Sequence, residues 1–165
     1  MRGWRALGLS GVLVVSLLAP SGGASAAEPL LGPFGYGKLK LGQTSAKAYK
    51  TGLIVAKGPK GQPCAGFDLK AHRTPKDTVG GYLSKKVGVA AIFAVKGMKT
   101  PRGIKIGSTK AQLKKAYPKL RESENALWIP VPGNAKKAQY LFLLDRRGKR
   151  VDQIALALKT QDCFN

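Results

Sequence analysis

The side chains in this sequence with the clearest chemical potential are its cations. Lys and Arg number 29 against 8 Asp and Glu, for a net charge of +21. Arg146, Arg147, Lys149 and Arg150 crowd around Gly148, Lys110, Lys114, Lys115 and Lys119 recur along a second segment, and Lys38, Lys40 and Lys105 lie in two others. Such groups displace condensed counterions from an anionic polymer, giving an affinity that falls steeply with salt. Arg146, Arg147, Lys149, Arg150, Lys110, Lys114 and Lys115 are therefore the candidate anion-binding set. The competing reading is a solvated basic surface with no dedicated partner. Interleaved aromatics for stacking on bases are lacking and no nucleic-acid-binding motif is present, so sequence-specific nucleic-acid recognition is not expected.

Catalytic chemistry has little to draw on. His72, in Lys70-Ala-His-Arg-Thr-Pro75, is the single histidine, and no G-x-S-x-G motif supplies a nucleophile for it. Asp68 and Asp77 are near it in sequence only, and a surface-loop histidine is the simpler reading. The acids are scattered, with Glu122 and Glu124 on a short polar stretch, and read as partners of the lysines rather than as a carboxylate pair across a cleft. One histidine and two cysteines are too few for a metal site. The glycines at 42 and 107 lack phosphate-loop spacing and read as turns. The expectation is no enzyme, no metal and no cofactor. The enzymatic alternative is a small hydrolase dependent on His72 or Asp68.

These residues are carried by a chain with a weak internal repeat. Leu39-Lys-Leu-Gly42-Gln-Thr44-Ser-Ala46 aligns with Ile104-Lys-Ile-Gly107-Ser-Thr109-Lys-Ala111 at an offset of 65. In both, two alternating apolar residues point inward, the glycine permits a tight turn and the threonine caps a helix. After Thr109, Leu113, Ala116 and Tyr117 share one helical face, the lysines point away and Pro118 ends the helix. After Thr44 a shorter helix buries Ala46 and Tyr49 and stops at Gly52. Three strand-like segments follow each helix: Leu53–Ala56, Cys64–Lys70 and Val87–Val95, then Leu127–Val131, Gln139–Asp145 and Val151–Leu158. Asp145-Arg-Arg-Gly148-Lys-Arg150 predicts a hairpin between the last two. Residues 71–86 and 133–137 read as long loops. The predicted fold is an α+β domain, an antiparallel sheet with two short helices on one face, built from α-β-β-β units over about 38–96 and 103–158.

The ends of the chain bear on where it works. Met-Arg-Gly-Trp-Arg, an apolar run from Ala6 to Ala19 and the small residues Ala24-Ser25-Ala26 make a secretory leader, with cleavage after Ala26. The run is shorter than the roughly 20 residues a spanning helix needs, and no later segment is apolar enough to span a membrane. Without the leader, 139 residues carry a net charge of +19. Residues 27–37 read as an extended Gly/Pro-rich arm and 38–165 as one domain. Cys64 and Cys163, alone in a secreted chain, read as one disulfide tying the C-terminus to the first unit.

Leu41-Gly42-Gln43-Thr44 and Ile106-Gly107-Ser108-Thr109, with the order of elements over residues 38–158, resemble the β-lactamase-inhibitory-protein-like fold. Small envelope lipoproteins of the outer-membrane assembly type are similar over one repeat. The resemblance implies a non-catalytic, protein-binding scaffold that uses an exposed sheet face and loops. No residue role carries over, because no position matches a functional motif of that family. The expected function is thus a secreted basic module binding an anionic polymer or cell surface. The alternative is docking to, or inhibiting, another secreted or envelope protein.

Overall fold

The computed structural model describes residues 29–59, 61–124 and 126–164; the leader expected over residues 1–26 lies outside them. The two matched turns each feed a short helix. Thr44 caps α1 (Ser45–Lys50) by accepting from the Lys47 amide. Thr109 caps α2 (Lys110–Ala116) in a reciprocal box: its hydroxyl accepts from the Gln112 amide at 3.1 Å, and the Gln112 side chain accepts from the Thr109 amide at 2.8 Å.

Both turns also dock on a strand in the same way. The Gly42 amide donates to Val89 O at 2.9 Å and the Val89 amide to Gln43 O at 2.8 Å; the Gly107 amide donates to Val151 O at 2.7 Å and the Val151 amide to Ser108 O at 2.8 Å. Close approach is enforced at the first site by Gly88, whose φ is +74° and whose missing Cβ would lie 2.2 Å from Gln43 O.

Four strands follow each helix. After α1 come β4 (Ile54–Lys57), β5 (Cys64–Leu69), β6 (Gly81–Ser84) and β7 (Gly88–Phe93); after α2 come β8 (Arg121–Glu122), β9 (Leu127–Pro130), β10 (Ala138–Leu144) and β11 (Val151–Leu158). They form one antiparallel sheet in the order β4-β5-β6-β7-β11-β10-β9-β8, so the last strand of each half meets the other at the centre, Leu156 opposite Ile92. A small sheet precedes it: β1 (Leu31–Gly32), β2 (Gly35–Tyr36) and β3 (Leu39–Lys40). The segment read as an extended arm therefore folds back through its Gly and Pro residues.

Alternation along the strands sorts the two faces of the sheet. Phe67, Leu83, Ile92, Ile154, Leu156, Tyr140 and Phe142 point to the inner face and are fully or almost fully buried. Tyr82, Phe93, Ala155, Leu141, Leu143 and Trp128 alternate with them and lie on the other side.

The expectation of an α+β domain is corrected by this arrangement: the chain is predominantly β. The helices span only six and seven residues, because Gly52 and Pro118 halt them after two turns. Two such helices cannot cover eight strands. Much of the inner face is instead covered by irregular chain and the small sheet, with Leu31, Leu39 and Met98 wholly buried and Ile104 nearly so. The residues 71–86, read as one loop, hold the whole of β6, and the polar stretch at Glu122 holds β8.

Candidate functional site

The predicted hairpin forms as a β10–β11 turn, and Arg146, Arg147, Lys149 and Arg150 are all exposed at its tip. Asp145 organises the turn by accepting from the amides of Lys149 (2.8 Å) and Arg150 (3.3 Å). Those bonds, the Lys149 amide foremost, together with the charge of Arg147, hold its carboxyl below the usual value.

Because the Gly107 turn docks on Val151, the hairpin is joined to the start of α2. The Lys110 amide donates to Lys149 O at 2.8 Å, and the Arg150 guanidinium donates to Gly107 O at 2.9 Å. The structure thus brings Arg146, Arg147, Lys149, Arg150 and Lys110 to one place, while Lys114 and Lys115 continue as exposed residues along α2. Lys110 is the least free of the set, since its ammonium lies 3.3 Å from the Glu122 carboxylate. A seven-residue helix is about 10 Å long, so the basic side chains form a short track rather than one tight pocket.

At the far end of α2 the track meets cations that sequence reading passed over. Arg102, in a turn, donates to Ala116 O at 2.6 Å and lies 5.4 Å from the centroid of the Tyr117 ring. Arg121, on the edge strand β8, lies 4.9 Å from the centroid of Trp128. With Lys119 they line a cleft of about 420 Å³ walled by Pro118, Pro130 and Pro132. No local pattern in the sequence signals this cleft; that Arg102 reaches α2 is a tertiary fact.

Tyr117 is 1% exposed beneath this cleft and its hydroxyl closes no hydrogen bond. Burial pushes its phenol above the ordinary value, against the pull of nearby Thr100 and Arg102. An unpaired buried hydroxyl costs stability, so Tyr117→Phe should leave the melting temperature unchanged or raise stability by about 1 kcal/mol in thermal unfolding.

The outer face of the sheet holds a second feature missed in the sequence. Tyr82, Phe93 and Phe164 pack with ring centroids 5.8 to 6.0 Å apart. Together with Leu141 and Leu143 they line a largely apolar groove of about 560 Å³. Phe164 reaches it because the Cys64–Cys163 disulfide, predicted from the sequence, pins the tail across β5 and β6.

The residues weighed for catalysis are separated in role. Asp68 is buried and serves the loop after β5: it accepts from the Thr74 hydroxyl at 2.6 Å and the Gly80 amide at 3.2 Å and pairs with the Lys57 ammonium at 3.2 Å. His72 sits half-buried in the same loop, its amide bonded to Leu69 O.

The described fold is similar to the crystal structure of the uncharacterized protein yfeY from Escherichia coli, with a TM-score of 0.48 and 17% sequence identity, covering 77% of this chain and 98% of that one. No family model matches this chain, and no curated protein matches it.

Proposed function

We propose that this protein is a secreted, non-catalytic binding module that holds an anionic polymer of the cell envelope or extracellular space along the basic track from the hairpin tip to the end of α2. The observation that carries this reading is the backbone bond between Lys110 and Lys149 O, which fixes two separately basic segments side by side. A linear polyanion can then meet several cations at once and release counterions from each. The disulfide suits an oxidising compartment. No helix of the described residues is long and apolar enough to cross a membrane.

Retention of the purified chain from Ala27 on an anionic matrix and on isolated cell envelopes, across a salt series, tests the reading. The wild type should hold on to higher salt than a control protein of equal charge. Changing Arg146, Arg147, Lys149 and Arg150 to serine should remove that excess. Elution with the control, indifferent to these changes, would contradict the reading. It would favour docking to another extracellular protein through the apolar outer face, the mode implied by the β-lactamase-inhibitory-protein-like resemblance.

A further inference from the structure

We infer that the cleft at the end of α2, lined by Arg102, Lys119 and Arg121, is a specific seat for one oxyanion, a phosphate or a carboxylate, carried on a compact polyol or sugar unit. The inference rests on the reading above and deepens it, since it names the unit of the polymer that the track delivers.

Three cations line this cleft without a carboxylate among them, and none of the three has an acidic partner among the described residues. That is an unneutralised positive site, unlike Lys110, which already pairs with Glu122. The two guanidiniums are also held in place before any ligand arrives. Arg102 is fixed by Ala116 O and the Tyr117 ring, and Arg121 by the Trp128 ring. Pre-positioned forks lose less entropy on binding, and their planar donors match phosphate and carboxylate oxygens.

The walls define the rest of the ligand. Pro118, Pro130 and Pro132 are rigid and offer apolar sides to a ring or short polyol, and about 420 Å³ is the size of a small-molecule site. A nucleobase fits poorly. Tyr117, the aromatic ring that lines the cleft, is buried and already carries the Arg102 guanidinium, so it is no free stacking platform.

Titration of the chain from Ala27 with glycerol 3-phosphate and, separately, glucuronate tests the seat and distinguishes phosphate from carboxylate. The readouts are Trp128 fluorescence and the side-chain nitrogen shifts of Arg102 and Arg121. At least one probe should saturate, with both guanidiniums responding. Arg102→Gln and Arg121→Gln should each weaken it about tenfold, the loss of a hydrogen bond to a charged group. Changing Lys47, Lys50, Lys70 and Lys76, exposed lysines outside the track, to serine should leave binding of the probe as in the wild type. Lys119→Gln, which touches none of the contacts that hold the arginines, should also weaken binding if Arg102→Gln fails to fold.

No saturable response to either probe, or equal responses in all variants, would overturn the seat. If polymer retention persists while both probes fail, the seat falls and the track stands. If a probe binds here while polymer retention matches the control, the track falls and the seat stands. A response to neither probe combined with capture of an envelope protein would overturn both in favour of protein docking.

Discussion

With Cys64 and Cys163 both changed to serine, the chain from Ala27 should unfold roughly 15 °C below the disulfide-bonded form in calorimetry, a shift set by the unfolding entropy of a domain of this size. The two cysteines are 99 residues apart, and closing a loop of that length removes about 4–5 kcal/mol of denatured-state entropy in the chain model. The native state loses something too. The bond ties the first residue of β5 to the tail beyond β11, and the tail places Phe164 against Tyr82 and Phe93. Aromatic contacts of that kind are worth about 1 kcal/mol each. Phe164→Ser with the disulfide intact should therefore cost only a small part of the full effect. Equal melting temperatures with and without reductant would show that the tail does not hold the two halves together.

Asp68→Ala should cost about 3 kcal/mol in chemical denaturation, because it takes the carboxylate away from the half-buried Lys57 ammonium and unties the loop after β5. Asp68 is 3% exposed and Lys57 has 17% of its side chain exposed. The pair also anchors the loop through Thr74 and Gly80. Burial pushes the Asp68 carboxyl up, but the bonds from Thr74 and Lys57 outweigh this, and its pKa lies below the ordinary 3.8. A depressed folded-state pKa gives stability that is present above the unfolded value and is lost as pH falls through the folded one. The wild type should thus lose stability below about pH 4, and Asp68→Asn should flatten that limb of the profile. An unchanged profile in Asp68→Asn would place the acid sensitivity elsewhere.

How much of this was legible in the sequence differs between the halves. Residues 127–158 have long alternating strands, and Asp145 to Arg150 has the composition of a turn, so β9, β10, β11 and their hairpin follow from pattern alone. In the first half, β6 is four residues preceded by Gly80 and opening on Gly81, and nothing local marks it as a strand. It exists because β5 and β7 offer it free edges on both sides. The capped helices were legible from Thr44 and Thr109, but their shortness decides the fold class, and that depends on how early Gly52 and Pro118 stop them. The hairpin half of the site could be read as charge, but that α2 lies beside it depends on the docking of the Gly107 turn on Val151, which no residue pattern signals. Arg102 and Arg121 could not be read, because nothing local signals that a turn residue and an edge-strand residue will converge on the end of α2.

If the hairpin and α2 act together as one polyanion track, the salt dependence of equilibrium binding will show it. The logarithm of affinity for an anionic polymer should fall linearly with the logarithm of salt concentration. Removing the four hairpin cations should make the slope shallower by about one unit per lost contact. Changing four exposed lysines of the first half, Lys47, Lys50, Lys70 and Lys76, should leave it nearly unchanged. If both variants flatten the slope equally, the charge acts as a diffuse surface, and the track does not exist as a site.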